Sequence, residues 1–251
     1  MDSLQRRDRT DRISVCMATY NGSAYVNEQL ASILSQIGPN DEVIVADDAS
    51  TDDTAAVVTA LGDPRVTLLR TTQNQGHVRT FERAICAATS DYIFLADQDD
   101  VWTEGRVRTM LDALCRRPVV AGNVLLFGDR TGPPRGRLRV TESGAGLRNL
   151  ARILTGSRRY LGSAMAFRRE LMDVLVPIPG YVESHDVWLA MVGNLVGGVE
   201  HLEEVVLRRR LHGSNLTLPR RRSLGKLLVS RVLMLRAVLE VLRRRSRALR
   251  G

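Results

Sequence analysis

Apolar, β-branched runs alternate with amphipathic stretches through the first half of the chain, and this alternation limits the fold more than any other feature. Five of these runs predict strands, at residues 13–18, 42–46, 66–69, 92–96 and within 119–127. The stretches between them predict helices at residues 23–37, 51–61, 77–88 and 103–116. Because alternating strands and helices form βαβ crossovers, we expect an α/β fold with a mostly parallel sheet and helices on both faces.

The second half of the chain is less regular. Glycines and prolines concentrated in residues 128–146 indicate a loop. Helices are predicted near residues 147–154 and 186–195, with an apolar segment between them at residues 160–167. Residues 223–249 carry apolar side chains at helical spacing and a basic opposite face, which predicts an amphipathic C-terminal helix. Such a helix could dock onto the domain, join a second subunit or lie on an anionic membrane.

Polar side chains follow three of the predicted strands at the point where each strand ends. These side chains belong to Thr19, Tyr20 and Asn21, to Asp47 and Asp48, and to residues 97–100. In a parallel sheet, ligands bind beyond the carboxyl ends of the strands, so we expect these groups to meet at one edge. Carboxylates crowded at one edge repel one another unless a cation lies among them.

The run from Tyr92 to Trp102 carries the clearest chemical signal. It predicts a buried strand that ends in Asp97 and Asp99, and this spacing can bring two carboxylates within reach of one ion. Carboxylate oxygens suit Mg²⁺ or Mn²⁺, and either ion can bind a diphosphate. An isolated D-x-D pair is more typical of a solvated acidic turn, but the second acidic strand end at Asp47 favours the metal site.

The composition sets the class of protein. The chain has 251 residues, of which 44% are hydrophobic and 25% are charged, as in an ordinary globular domain. Its net charge of +8 favours anionic partners such as nucleic acid, a lipid surface or a phosphorylated substrate. The sequence has no apolar run long enough to span a membrane, no secretory signal and no paired cysteine motif, so we expect a cytoplasmic protein.

Four motifs, in the expected order, resemble glycosyltransferase family 2, which has the GT-A fold. They are the first strand and its loop at residues 13–22, Asp47 to Asp52, the turn at residues 74–76, and residues 97–102, which have the form found in the rhamnosyltransferase-like branch. The resemblance runs over residues 13–217. It implies a nucleotide-binding sheet flanked by helices, a smaller acceptor-side half and the C-terminal amphipathic helix.

The resemblance also implies an activity. A family member of this kind is an inverting, metal-dependent glycosyltransferase that uses Mn²⁺ or Mg²⁺. It moves a sugar from a nucleotide diphosphate donor, with dTDP-rhamnose the first choice here, to a hydroxyl of a glycan or lipid-linked acceptor. The expected setting is the synthesis of a cell-surface glycan or glycoconjugate.

Donor-site roles follow from the resemblance. Thr19 and Tyr20 line the nucleotide site, Asp48 supports the nucleotide, Asp97 faces the ribose and diphosphate, and Asp99 ligates the metal. The full predicted nucleotide-sugar set is Thr19, Tyr20, Asn21, Asp47, Asp48, Gly76, Arg79, Asp97, Gln98 and Arg210.

The predicted base lies within residues 183–189. An inverting transfer needs a group that takes the proton of the acceptor hydroxyl. Asp186 matches the aspartate that the family has near the start of a helix in its second half, where the helix dipole keeps a carboxylate ionised. Plain helix capping would explain the same residue, and Glu183 and His185 are the competing bases.

Residues 210–217 resemble the R-x-H-x-x-N-x-T segment that closes the catalytic domain in rhamnosyltransferase-like members. The match implies that Arg210 neutralises the leaving diphosphate. It also implies that His212 completes the metal site. The alternative for His212 is an ordinary loop histidine.

The acceptor side is predicted at Gly162, Ser163 and Trp188, which match the family's acceptor strand and the helix that follows the base. Gly162 would let the backbone approach a sugar closely. A core strand that happens to contain one glycine is the alternative.

The predicted organisation has three parts. Residues 1–12 form a tail, residues 13–218 form the GT-A domain, and residues 219–251 form the basic helix. Within the domain, residues 13–127 make the nucleotide-binding half and residues 146–218 make the acceptor half.

Two other functions compete with glycosyl transfer: a nucleotidyltransferase on a similar sheet, and a basic membrane- or nucleic-acid-binding module without catalysis. The phosphate-binding signatures G-x-x-x-x-G-K-[ST] and G-x-G-x-x-G are absent from the sequence. Aromatic residues are only 4% and no nucleic-acid-binding module is recognisable, so we expect no nucleic-acid partner. The C-terminal helix is the candidate surface for a homo-oligomer or for the inner face of a membrane.

Overall fold

Eight strands form one sheet in the computed structural model, which describes residues 11–129, 131–134, 136–213 and 224–248. The strands are β1 (Ile13–Thr19), β2 (Glu42–Asp47), β3 (Val66–Arg70), β4 (Tyr92–Asp97), β5 (Val101–Trp102), β6 (Val119–Gly128), β7 (Met165–Arg168) and β8 (Val199–Leu211). Their order across the sheet is β3-β2-β1-β4-β7-β6-β8-β5.

Helices cover both faces of this sheet. They are α1 (Val26–Leu34), α2 (Thr54–Ala60), α3 (His77–Ala87), α4 (Arg106–Leu114), α5 (Gly146–Thr155), α6 (Met172–Leu175), α7 (His185–Val196) and α8 (Leu224–Ala248). Short 3₁₀ turns occupy Val140–Glu142, Gly162–Ala164 and Arg169–Leu171. No helix within the described ranges is both long and apolar enough to cross a membrane.

The predicted α/β fold is confirmed, and residues 13–127 agree with the prediction most closely. Strands β3, β2, β1 and β4 are parallel neighbours, as the βαβ alternation predicts. Beyond β4 the sheet is mixed. Strand β7 is antiparallel to both β4 and β6, whereas β6 and β8 are parallel to each other.

Side chains alternate between the two faces of the sheet, so each strand contributes to two cores. Cys16, Ile44 and Leu95 face a cluster that contains residues of α3, α5, α7 and α8. Val15 and Phe94 face the other cluster, together with residues of α1, α2 and α4. The second-half helices therefore pack on one face only.

Two strands of the sheet were not predicted from the sequence. Strand β8 lies within the predicted acceptor half, but no strand was predicted there, because charged runs at residues 203–204 and 208–210 interrupt its apolar pattern. The two-residue strand β5 pairs with β8 and delays the start of α4 to Arg106. Helix α1 also begins late, at Val26, because the preceding loop is bound to the loop after β2.

Asn123 stabilises the irregular stretch where β6 and β8 change register. Its buried amide nitrogen donates to the carbonyls of Leu138 (3.1 Å) and Leu202 (3.0 Å), and its oxygen accepts from the Leu138 N–H (2.8 Å). One side chain thus satisfies backbone groups that the bulge removes from the ladder.

We predict that Asn123→Ala lowers the free energy of unfolding by about 2–4 kcal/mol, because it leaves several buried backbone groups without partners. Urea unfolding followed by circular dichroism measures the change. Asn40→Ala is the matched control, since Asn40 is exposed and accepts from Arg12 through its backbone carbonyl, and it should change the stability by less than about 0.5 kcal/mol. Equal stability of the two variants would contradict this role for Asn123.

Candidate active site

The carboxyl ends of β1, β2 and β4 meet at one edge of the sheet. The register pairs Thr19 with Asp47 across β1 and β2, and Ala18 with Asp97 across β1 and β4. The polar residues that follow these strands are therefore neighbours in space, as the sequence predicts.

Asp47 forms part of the buried floor of this edge. Its carboxylate accepts hydrogen bonds from the hydroxyl of Thr19 (3.0 Å) and the backbone N–H of Ser50 (3.1 Å), and Arg70 pairs with it at 3.4 Å. The Asp47 side chain is fully buried, and its hydrogen bonds join the end of β1 to the loop after β2.

Asp48 holds the turn before α3. Each of its oxygens accepts one backbone N–H at 2.8 Å, from Gln75 and from Gly76. Gly76 has a φ of +85°, which glycine adopts without strain. Asp48 therefore shapes the predicted nucleotide site through the backbone of this turn.

The loop after β1 is fixed by Gln98. The amide of Gln98 accepts from the Tyr20 N–H (2.8 Å) and donates to the Tyr20 carbonyl (3.0 Å), while a Cβ at Gly22 would collide with that amide. Asn21, at φ +49°, accepts from the backbone N–H of Thr51 (2.8 Å). The ring of Tyr20 is left 46% exposed above this scaffold and can contact a ligand.

A cluster of three carboxylates follows β4. Asp97, Asp99 and Asp100 each place an oxygen within 4.8 Å of the others. Burial and the neighbouring Asp99 raise the pKa of Asp97 to about 6, and burial together with Asp97 and Asp99 raises the pKa of Asp100 well above its usual value. Such repulsion favours a cation among the three side chains, and an all-oxygen ligand set fits Mg²⁺ or Mn²⁺.

His212 lies at the rim of this cluster. Its Nε2 is 2.8 Å from a carboxylate oxygen of Asp99, and its ring stacks on Tyr25 with 4.7 Å between the centroids. The placement suits the predicted ligand role, which stays a prediction. Residues 214–217, the rest of the motif that contains His212, lie outside the described residues.

Arg106, which the sequence analysis missed, and Ser163, which it placed on the acceptor side, support the cluster from behind. Asp100 accepts from the hydroxyl of Ser163 (2.9 Å) and from the Arg210 N–H (3.1 Å). The buried guanidinium of Arg106 lies over the Trp102 ring at 4.1 Å and donates to the Ser163 carbonyl (2.6 Å). Burial lowers the pKa of Arg106 to about 9, although Asp100 and Asp97 oppose the shift.

A helical-wheel reading could have found Arg106. It lies on the face of α4 that also carries the buried Val107, Met110 and Leu114. An arginine within an apolar stripe requires a buried anionic or polar partner.

The guanidinium group of Arg210 lies beside the carboxylate cluster, where its Nε donates to the Asp99 carbonyl (3.2 Å), and its predicted role at the diphosphate stays a prediction. Its guanidinium pairs with Glu28 and lies over the rings of Phe127 (4.4 Å) and Tyr25 (5.1 Å). Arg208 also lies over Phe127, at 4.6 Å. Because side chains alternate along a strand, Arg209 projects to the opposite face.

Arg209 is the basic residue whose charge reaches both acidic centres. Its positive charge lowers the pKa of Asp97, of Asp100 and of Asp186 against the effect of burial. Residues 208–210 are three successive arginines, and the face of β8 on which each side chain lies distinguishes Arg209 from its two neighbours.

Asp186 lies in the first turn of α7, against the turn that contains Gly162. A Cβ on Gly162 would lie 3.3 Å from the Asp186 Cβ and would collide with the ring of His185. The Asp186 carboxylate accepts from the Val187 N–H at 2.7 Å, and burial raises its pKa to about 6. A carboxylate with this pKa is ionised at neutral pH and is still basic enough to take a proton.

The competing bases are less well placed. His185 is buried and stacks on Phe81 with 3.9 Å between the ring centroids, and burial lowers its pKa to about 3. Glu183 is exposed before the start of α7.

Comparison with known protein families shows to which family this chain belongs. Residues 14–175 match the model of glycosyl transferase family 2. The chain belongs to this family.

Curated relatives of this family member include glycosyltransferases from several bacteria. An uncharacterized glycosyltransferase of Nostoc sp. is 26% identical over 219 residues, which is 81% of this chain and 66% of the relative. A dTDP-rhamnosyl transferase of Shigella flexneri is 33% identical over 105 residues, or 39% of this chain and 36% of the relative. This chain thus spans less than two thirds of either relative.

Solved structures show the same fold. S. aureus TarS (residues 1–349, in complex with UDP-GlcNAc) superposes with a TM-score of 0.71 at 19% identity, over 93% of this chain and 72% of TarS. This likeness confirms the expected GT-A fold. The rhamnosyltransferase branch stays a prediction.

Two further predicted site residues, Trp188 and Arg79, make contacts within the fold of this family 2 glycosyl transferase. Trp188 is only 1% exposed and its indole N–H donates to the Leu175 carbonyl (2.8 Å), so it belongs to the core rather than to an acceptor surface. Arg79 pairs with Glu82 and donates to the Ile178 carbonyl (2.8 Å), which ties α3 to the loop after α6.

Proposed function

We propose that this chain is an inverting, metal-dependent glycosyltransferase that acts in cell-surface glycan synthesis. It transfers a sugar from a nucleotide diphosphate donor to a hydroxyl of a glycan or lipid-linked acceptor. One observation carries the proposal. A cluster of three carboxylates and a separate carboxylate with a raised pKa lie close enough that Arg209 influences both.

The cluster holds the metal in this proposal. Asp99 is the principal ligand, Asp97 and Asp100 supply further oxygens, and His212 contributes a nitrogen from the rim. A bound Mn²⁺ or Mg²⁺ would neutralise charge on the donor diphosphate. The positive charge of buried Arg106 offsets part of the negative charge of Asp100 and Asp97.

The loops after β1 and β2 hold the nucleotide. The exposed Tyr20 ring offers a surface on which a base can stack. Gln98, Asn21, Asp47 and Asp48 contribute by fixing the backbone of these loops. Thr19 and Gly76 lie at the same edge and complete the proposed site.

Asp186 takes the acceptor proton. The acceptor oxygen forms a bond to the anomeric carbon as the bond from that carbon to the diphosphate oxygen breaks, and the hydroxyl proton moves to the Asp186 carboxylate. Arg209 stabilises the negative charge that collects on the leaving diphosphate. Attack opposite the leaving group inverts the anomeric configuration in one step.

The donor sugar is the least constrained part of the proposal, and dTDP-rhamnose is its first choice. The form of the motif at residues 97–102 and the Shigella flexneri relative support this choice. Both are similarities of sequence, so the donor needs a direct assay.

We predict that the protein slowly hydrolyses dTDP-rhamnose in the presence of Mn²⁺ and that Asp99→Asn lowers this rate by on the order of 10²-fold, because a metal ligand is lost. Sugar release from a panel of nucleotide sugars, measured with and without EDTA, tests both parts. Hydrolysis of UDP-glucose but not of dTDP-rhamnose would reject the rhamnosyl donor alone. Full activity in EDTA would reject the metal.

We predict that Asp186→Asn lowers kcat by about 10²- to 10⁴-fold with little change in donor affinity. The wild-type kcat should fall as the pH drops through about 6, because the base must be ionised and burial raises its pKa to that value. Turnover at saturating Mn²⁺ and donor, calorimetry and product NMR are the measurements.

Glu183→Gln is the matched control for the base and should keep normal turnover. Loss of activity in Glu183→Gln together with turnover in Asp186→Asn would move the base to Glu183. Retention of the anomeric configuration would reject the single-step mechanism.

We predict that Arg209→Gln lowers kcat by on the order of 10²-fold, since a cation at the leaving group is removed. The acid limb of its pH profile should also move to higher pH, because Arg209 lowers the pKa of Asp186. Arg208→Gln removes the same charge from the neighbouring position on the other face of β8, and it should behave like wild type. Equal effects of the two substitutions would contradict the assignment.

A further inference from the structure

Helix α8 presents one face to the domain. Ser230, Ala237 and Val241 are buried on this face, which packs against α5, α6 and α7. The guanidinium groups of Arg244 and Arg245 donate to the carbonyls of Val174 (3.1 Å) and Leu195 (2.6 Å) and fix the C-terminal part of the helix to the domain.

The opposite face of α8 carries a row of exposed apolar side chains, which we call the outer stripe. Its members recur at alternating steps of four and three residues and are 41–68% exposed: Leu228, Val232, Leu235, Leu239 and Leu242. At 100° per residue they span an arc of about 80° on the side away from Ala237. A contiguous exposed apolar patch of this kind marks an interaction surface.

Arginines line both edges of the outer stripe. On the helical wheel, Arg236, Arg243 and Arg247 lie along one edge. Arg231 lies along the other, together with Arg245, whose guanidinium group donates to the domain. The sole carboxylate in the described part of α8 belongs to Glu240, which hydrogen-bonds to Arg243 and Arg244.

This charge pattern distinguishes between the two occupants that could cover the stripe. A second copy of α8 would bring arginines from both helices along one seam, where like charges repel. An anionic lipid surface instead accepts the leucines among its acyl chains and offers phosphates to the arginines on both edges.

We propose that the outer stripe of α8 lies in the interface of an anionic membrane, with the flanking arginines on lipid phosphates. The surface assignment does not depend on the proposed glycosyl transfer. Because α8 packs on α7, which carries Asp186, binding in this way places the half of the domain that contains the base next to the lipid.

Vesicle flotation of the full chain tests the proposal. The protein should float with phosphatidylcholine vesicles that contain about one third phosphatidylglycerol and should stay behind with pure phosphatidylcholine. Leu235→Glu combined with Leu239→Glu should lower the bound fraction at least about tenfold, because both leucines leave the lipid and two anionic groups enter it. Circular dichroism of the variant should be that of the wild type, since both positions are exposed.

Val140→Glu combined with Leu147→Glu is the matched control. It makes the same change at two exposed apolar positions outside α8 and should bind as wild type. Equal loss in the two double variants, or no binding to anionic vesicles, would overturn the proposal. A dimer in sedimentation equilibrium that dissociates in the α8 variant, without lipid binding, would assign the stripe to a second copy instead.

Discussion

Repulsion among Asp97, Asp99 and Asp100 is the physical constraint around which the cleft is organised. Three carboxylates within 4.8 Å of one another are unfavourable in a partly buried place, and the raised pKa values of Asp97 and Asp100 express that cost. Arg106 offsets part of it from the buried side and Arg209 from the open side. A cation among the three carboxylates would offset the repulsion that the two arginines leave.

Strand β8, in the mixed half of the sheet, carries Arg209, one of the two arginines that offset this repulsion. The short strand β5 pairs Val101 with Arg208 of β8, so the segment after the D-x-D motif is joined directly to the strand that carries Arg209. The same pairing brings His212 beside Asp99, although the two residues are more than a hundred positions apart in the chain. A parallel βαβ sheet alone could not make this contact.

Local apolar patterns predicted the strands of the first half of the chain. They did not predict strands that form only by pairing with distant segments, such as β5 and β8. Strands β1 to β4 show in their apolar runs, and their carboxyl ends predict where Asp47 and Asp97 lie. Strand β8 was not predicted because charged residues interrupt its apolar pattern. The side chains of Arg208 and Arg210 both lie over Phe127, as strand alternation requires, and Arg209 projects to the other face. Arg209 was not predicted for this reason, since spacing along the chain does not reveal which face of an unpredicted strand a side chain occupies.

The two acidic centres are electrostatically linked. Asp186 is among the charges that raise the pKa of Asp97, and the interaction of two charges is reciprocal, so an ionised Asp97 also opposes ionisation of Asp186. Arg209 acts on both carboxylates in the opposite direction. Any cation held by Asp97 would therefore lower the pKa of Asp186 as well. If Asp186 is the base, as proposed, its carboxyl group is most readily ionised when a cation offsets the charge of Asp97.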